Sequence, residues 1–347
     1  MNVILKSLSN IFLTGTQLRH VAYRHGWLKT RHLNRPVISV GNLSVGGTGK
    51  TPLVILMSKT LLAGGHRPCI LTRGYGRRRG KSLLIVDPRA GLVFDPKKVG
   101  DEPAAIARAL PNVPIIISRD RFRAGIIGEQ DFQATVHLLD DGFQHLALYR
   151  DLDVVLLDVM CPSADLALLP AGRLREPFSA LQRAHWVILT RSELADGAAL
   201  EARVQAANPR ARIFRSGTQL AGLVEARSGL PEPLENLLGR KVAAFCGIGN
   251  PAAFFADLRS WGLEVMAEGV FPDHHVYKRR ELENLGVRAR GAAAILTTEK
   301  DLMNLPQDWN LPVPLFACCI RSEIEEKMEF ERALLTEVDA AATRRAT

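Results

Sequence analysis

Short runs of mainly aliphatic residues recur along the chain at 37–40, 68–71, 83–86, 114–117, 135–139, 153–157 and 186–189. Between them, apolar residues fall at helical spacing in 51–62, 102–110, 121–129 and 192–206. A strand that is apolar at nearly every position is buried on both faces. Such strands alternating with helices predict a mostly parallel sheet covered by helices on both sides. The pattern lapses from 207 to 240, where there is no strong period and Pro231 and Pro233 interrupt the chain. It resumes with strands at 242–246, 263–270, 293–296 and 313–318, helices at 251–261 and 278–288, and a last helix at 323–334. The expected organisation is an α/β domain over 36–222, a linker over 223–240, a smaller α/β domain over 241–335 and a tail over 336–347. The final residues, 341–347, are expected to be disordered. A chain of 347 residues fits two domains.

Residues 1–35 read differently. Ile4, Leu5, Leu8, Ile11, Phe12, Leu18, Val21 and Ala22 recur at helical spacing among Lys6, Arg19, Arg24, Lys29, Arg31 and Arg35. No Asp or Glu occurs before residue 87. A compact apolar core followed by a small-residue cleavage site is missing, which argues against a signal peptide. A basic amphipathic helix lying on an anionic membrane surface fits the pattern. A helix packed on the domain with its basic residues outward is the alternative.

Composition changes the picture little. Hydrophobic residues at 47% and charged residues at 23% are globular values, and the net charge of +9 suggests an anionic partner. The five cysteines lack C-x-x-C spacing, and Cys318-Cys319 sits in an apolar run as core filler, so a reducing compartment is inferred. Aromatic residues total 6% with no stacking pattern among the basic loops, which argues against nucleic acid. Nothing in the sequence calls for an obligatory protein partner.

The chemistry begins where the first sheet strand runs into 44-SVGGTGKT-51. Ser44 stands where a P-loop usually has its first glycine, but the Gly49-Lys50-Thr51 ending is intact. Backbone N–H groups from Ser44, Val45, Gly46, Gly47, Thr48, Gly49 and Lys50 surround the expected phosphate position, with Gly47 to Lys50 converging at a helix N-terminus. Lys50 would reach the β- and γ-phosphates of a nucleotide, and the Thr51 hydroxyl would ligate Mg²⁺. Pro52 falls in the first helical turn, where its missing N–H is harmless. A magnesium ion on a P-loop also needs a carboxylate at the end of a neighbouring strand. Asp140 and Asp141, in 135-TVHLLDDGFQH-145, fall where that strand should end. Together these segments predict a P-loop kinase-like α/β fold with an ATP or GTP site. An Asp-Asp-Gly turn with no ligand is the plainer alternative.

Four more polar clusters occupy predicted strand ends: 72–80, 100–103, 119–125 and 168–177. Ligands of open parallel sheets bind at the carboxyl ends of strands, so these loops can share one crevice. Their arginines suit a substrate already carrying phosphate. Asp101 opens a helix, either as a favourable charge there or as a base for a sugar hydroxyl. Asp273, His274 and His275 follow a strand of the smaller domain and could support that base.

The set GNLSVGGTGKTP, LTRGYGR, GDEP, DRFRAG, LDDGFQH, LLPAGRLREP, FPDHH and LTTEKD runs in this order from residue 41 to residue 301. It resembles the tetraacyldisaccharide 4′-kinases of lipid A synthesis, the LpxK family, whose loop also carries the serine at the position of Ser44. The resemblance implies ATP- and Mg²⁺-dependent transfer of the γ-phosphoryl to the 4′-hydroxyl of an acylated glucosamine disaccharide 1-phosphate, giving lipid IVA. It also implies two α/β domains with the active site in the cleft between them. The N-terminal helix is then on the cytoplasmic face of the inner membrane. Carried over by residue, Lys50 and Thr51 belong to the P-loop and Asp140-Asp141 to the magnesium side. Asp101 becomes the catalytic base and His274, which directly follows the Asp of its motif, its partner. Arg73, Arg121, Arg175 and Glu176 match positions near substrate and phosphates. Which of the two acids meets the metal, and whether His274 moves protons or only orients Asp101, stay open. The rival reading is a P-loop GTPase or ATPase switch. Against it, the N-K-x-D base reader of GTPases is missing, and the nearest match, 298-TEKD-301, lacks the Asn.

Overall fold

The computed structural model describes residues 3–74, 83–90, 96–161, 167–306 and 308–346. Of the expected 72–80 cluster, only Thr72, Arg73 and Gly74 are among them. The chain forms two compact units, Met1–Gly217 with Ile324–Thr347, and Thr218–Glu323.

The first unit holds β1 (Val37–Asn42), β2 (Pro68–Thr72), β3 (Leu83–Val86), β4 (Ile115–Ser118), β5 (Val136–Asp140), β6 (Leu152–Asp158), β7 (Trp186–Thr190) and the start of β8 (Arg212–Glu225). Their order across the sheet is β8-β7-β6-β1-β5-β2-β4-β3. Neighbours pair in parallel except β3, which runs antiparallel to β4 at the edge. Strands β1, β2, β4, β5, β6 and β7 are buried at every position, in keeping with their mainly aliphatic runs. The helices α2 (Lys50–Ala63), α4 (Asp101–Ala109), α5 (Arg121–Asp131) and α6 (Ala198–Ala207) connect them, with a short α3 (Pro96–Val99) before α4. Since β1 lies between β5 and β6, the loop leaving β1 and the loop leaving β5 emerge side by side.

The second unit orders β11 (Glu264–Val270), β10 (Lys241–Cys246), β12 (Ala294–Thr298) and β13 (Leu315–Ile324) as β11-β10-β12-β13, with parallel pairing throughout. β8 follows β13 in the order, and β9 (Pro231–Glu232) pairs antiparallel with β8. Helices α7 (Pro251–Ser260), α8 (Arg279–Arg288) and α9 (Glu299–Leu302) complete it.

Three segments differ from the sequence expectation. β8 occupies much of the stretch without a period, and only Phe214, Ser216 and Leu223 of its 14 residues are buried. A strand so sparsely buried carries no hydrophobic signature. α6 begins six residues later than the apolar spacing suggests, because Asp196 Oδ1 accepts from Ala198 N and sets the helix start there. The last helix, α10 (Lys327–Ala346), continues through the residues expected to be disordered. Leu335 packs on Gly64, Asp339 meets His66 at 3.5 Å, and Arg345 pairs with Asp151 at 2.7 Å. These contacts supply what local propensity lacks.

The N-terminal helix α1 (Val3–Arg24) is attached to the first unit through polar residues. Ser9 Oγ donates to Leu168 O and accepts from Ala171 N, Arg19 donates to Gln144 O, and His20 meets Glu176 at 3.1 Å. At about 100° per residue, Ser9 and His20 lie within about 20° of each other, and Ile4, Ile11 and Leu18 some 140–180° away. Those three apolar side chains are 67%, 69% and 62% exposed. The helix therefore turns its greasy face outward. No helix among the described residues is long and apolar enough to cross a membrane.

Candidate active site

The loop from β1 to α2 is shaped by its glycines and by a neighbouring segment. Gly46 and Gly49 adopt φ of 114° and 84°, which side-chain-bearing residues resist. Gly49 is the N-cap of α2, so Lys50 and Thr51 are its first residues and the helix N-terminus opens onto the loop. Within the loop, Asn42 Nδ2 donates to the Thr48 hydroxyl at 2.9 Å. The 168–177 segment runs alongside: Val45 N donates to Arg173 O at 2.8 Å, Arg175 N to Leu43 O at 2.7 Å, and Ser44 bridges to Leu174. Ser44 thus holds a backbone register and does not weaken the turn.

Beside this loop stands the acid pair. Asp140 is the last residue of β5 and Asp141 follows with a left-handed φ of 54°. Phe143, fully buried, anchors the segment against Gly41 of β1, whose hypothetical Cβ would lie 2.6 Å from the Phe143 Cβ. Lys50 Nζ lies 3.6 Å from Asp141 Oδ1, and Arg175 Nη1 reaches both Asp141 oxygens at 2.7 and 2.9 Å. Burial works to raise the Asp141 pKa, but Lys50 and Arg175 prevail and hold it below the ordinary carboxylate range.

Asp140 behaves oppositely. Burial pushes its pKa up to about 7, and the neighbouring charges of Glu102 and Asp141 push the same way, against Lys50 and the Thr72 hydroxyl. Thr72 Oγ1 donates to Asp140 Oδ2 at 3.1 Å. A buried carboxylate short of positive charge is a natural place for a cation. Among the described residues, no group of three or more His, Cys, Asp or Glu is arranged to hold a metal unaided. A cation here would need oxygen ligands from a bound molecule as well.

Arg121 opens α5 and is buried, its Nη1 bonded to the Ser118 carbonyl. Its Nε is enclosed and, among the described residues, has no hydrogen-bond partner. Burial lowers its pKa to about 10, and Arg73 adds to that effect while Asp140 opposes it. Asp101 is buried at the first position of α4, where its carboxylate accepts from Glu102 N at 3.0 Å. Glu176 takes His20 and Arg183 at 3.1 and 2.8 Å. In the second unit, His274 has a left-handed φ of 58° and its Nε2 lies 3.1 Å from Lys300 Nζ. His275 is committed elsewhere, 2.9 Å from Glu281 and stacked on Phe271.

The structure thus joins Lys50, Asp141 and Arg175 directly, with Asp140, Arg73 and Arg121 electrostatically coupled to the cluster. His274 belongs to the other unit. Sequence reasoning passed over Glu102, Thr72, His20 and Lys300. Glu102 and Lys300 did stand inside the GDEP and LTTEKD motifs, and that was the available signal.

A parallel sheet, a glycine loop closing on Lys50-Thr51 at a helix N-terminus, and an acid pair on the adjacent strand define a P-loop α/β protein of the kinase-like class. The chain belongs to the tetraacyldisaccharide 4′-kinase family: the family model described as tetraacyldisaccharide-1-P 4′-kinase matches residues 1–339. The tetraacyldisaccharide 4′-kinase of Geobacter metallireducens is 40% identical over 305 residues, covering 87% of this chain and 88% of its own. That of Geobacter sulfurreducens is 37% identical over 319 residues, covering 92% and 88%. The crystal structure of LpxK from Aquifex aeolicus in complex with ATP matches with a TM-score of 0.72 and 32% identity, over 96% of this chain and 97% of that one.

Proposed function

We propose that this protein transfers the γ-phosphoryl group of ATP to the 4′-hydroxyl of a tetraacylated glucosamine disaccharide 1-phosphate, forming lipid IVA. The observation that carries the reading is the ion pair of Lys50 with Asp141, next to the buried Asp140, beside a glycine turn at a helix N-terminus in a chain of this family. The loop N–H groups and Lys50 cradle the β- and γ-phosphates, where negative charge moves during transfer. Thr51 and the acid pair fit a Mg²⁺ ion, which would neutralise charge on the β- and γ-oxygens when bound. Asp140 is our choice for the metal side, since among the described residues it makes none of the ion pairs that Lys50 and Arg175 make with Asp141.

Arg121 offers a buried guanidinium with one nitrogen unpartnered among the described residues, suited to an anionic phosphate oxygen. Arg73 and Arg175 add positive charge near it, and Glu176 fixes the segment that carries Arg175. Asp101 takes the role of base toward the sugar hydroxyl and His274 that of the residue supporting it. The outward apolar face of α1 suits a peripheral position on the cytoplasmic side of the inner membrane, where an acylated substrate resides.

The test is transfer from γ-labelled ATP to the lipid disaccharide in mixed micelles, for the wild type and for Lys50→Ala, Asp101→Ala and His274→Ala. Each substitution is expected to lower kcat at least ~100-fold. A loss of threefold or less for Asp101→Ala would remove it from the role of base. Nucleotide hydrolysis that proceeds equally well without lipid would favour a regulatory switch.

A further inference from the structure

The second unit contains a polar cluster whose function the reaction chemistry alone does not explain. Residues 271–277 and 297–301 are tied together at several points. Asp301, fully buried, accepts from Gly247 N at 2.9 Å, from the Tyr277 hydroxyl at 2.8 Å and from the Thr298 hydroxyl at 2.7 Å. His274 N donates to Gly247 O, and Tyr277 N to Asn304 O, both at 3.1 Å. A Cβ on Gly247 would sit within 3.1 Å of Pro272 O, the Tyr277 hydroxyl and Asp301 Oδ1, so the Tyr277 and Asp301 side chains close on this glycine with no slack. Asp301 is thereby a rigid anchor, and the residue before it in sequence, Lys300, is held in place.

Lys300 Nζ then reaches two neighbours, Asp273 Oδ1 at 3.0 Å and His274 Nε2 at 3.1 Å. An ammonium group has three donors and no acceptor. The ring nitrogen it meets must therefore present a lone pair. His274 is consequently neutral in this arrangement, with its proton on Nδ1. An imidazolium would set an N–H donor on Nε2 against the three donors of Lys300, and Asp273 Oδ1, at 3.8 Å from Nε2, is too far to reconcile them by a hydrogen bond.

We propose that Lys300 is a positioning residue for phosphoryl transfer: it fixes His274 as the neutral Nδ1–H tautomer. His274 is then a donor at Nδ1 and does not accept a proton at Nε2, because the Nε2 lone pair is occupied. This rests on the reading of His274 as the partner of Asp101.

The inference is tested on the full-length protein labelled with ¹⁵N-histidine. The His274 ring signals are assigned by their disappearance in His274→Gln. At neutral pH, Nε2 is expected at a pyridine-type shift and Nδ1 at a pyrrole-type shift. In Lys300→Met, which retains the aliphatic length, the two nitrogens are expected to move toward averaged shifts. Its kcat should fall about tenfold, the scale of one charge-assisted hydrogen bond, with the KM for ATP unchanged. Lys300→Arg keeps a pure donor and should restore the wild-type tautomer and much of kcat. An Nε2–H tautomer or an imidazolium in the wild type would overturn the proposal, as would Lys300→Met with unchanged ring shifts. If the shifts move while kcat stays, the catalytic half of the inference falls. Full activity in His274→Gln would then trace that failure to the role given to His274 itself.

Discussion

Replacing Asp140 by Asn should make the protein more stable while destroying its activity. Asp140 is 2% exposed, and its folded-state pKa of about 7 lies well above the ordinary 3.8. The gap corresponds to roughly 4 kcal/mol of preference for the neutral acid. The folded protein thus binds more protons than the unfolded chain between those two values, and stability falls as pH rises from about 4 to 7. Asparagine is isosteric, stays neutral, and its carbonyl can accept from the Thr72 hydroxyl that now bonds Asp140 Oδ2. Allowing for local relaxation, we expect Asp140→Asn to gain ~2–4 kcal/mol at pH 8 in EDTA, or roughly 5–10 °C in Tm. At pH 4 the gain should shrink to about 0.5 kcal/mol, because the wild-type carboxyl is then protonated in the folded state and already partly protonated in the unfolded chain. Thermal unfolding followed by circular dichroism at both pH values, alongside the transfer assay, is sufficient. A gain of equal size at pH 4 and pH 8 would refute the reasoning, since it would trace to packing and not to a buried charge. Added Mg²⁺ with nucleotide should raise the wild-type Tm more than that of the variant.

Two further outcomes follow from the packing. Gly41→Ala should destabilise the protein by ~1–3 kcal/mol, because the new methyl would lie 2.6 Å from the Phe143 Cβ in a fully buried site; chemical denaturation measures it, and a neutral result would show that the acid-pair segment can shift. Combining Ile4→Ser, Ile11→Ser and Leu18→Ser should weaken co-sedimentation with anionic vesicles at least ~10-fold, while activity toward a short-chain, micelle-free acceptor stays within about twofold; unchanged sedimentation would remove α1 from the membrane contact.

The parts of the fold legible in the sequence are those whose cause is local. Strands buried on both faces, such as β1 and β6, are mainly aliphatic, and the P-loop helix begins where glycine and lysine place it. The acid pair was legible because a strand has to end where Asp140-Asp141 interrupts its apolar run. β8 was not, because only three of its residues are buried. The C-terminal residues were read as loose because 341-AATRRAT-347 lacks a hydrophobic stripe. They are helical because Asp151, nearly 200 positions earlier, receives Arg345. Helix α1 was legible as amphipathic, but which face would turn outward was not. Ser9 and His20 decide that by bonding to the 168–176 segment.

The same distinction separates the identity of site residues from their chemical state. A motif can name Asp140 and His274, yet the proton each carries is set from elsewhere in the chain. Glu102, on α4, helps to keep Asp140 protonated, and it lies 38 positions away. Lys300, 26 positions beyond His274, makes that ring an acceptor at Nε2. Asp140 and Asp141 are adjacent in sequence and yet are driven to opposite sides of the ordinary carboxylate pKa, one by burial among acids and the other by Lys50 and Arg175. An acid pair split in this way gives one carboxyl a standing demand for a cation, while the other is already satisfied by the protein. It follows that Arg175→Ala should leave Asp141 with weaker compensation and raise the concentration of Mg²⁺ needed for half-maximal transfer by less than Asp140→Glu does. Equal effects would mean that the two carboxyls share the metal after all.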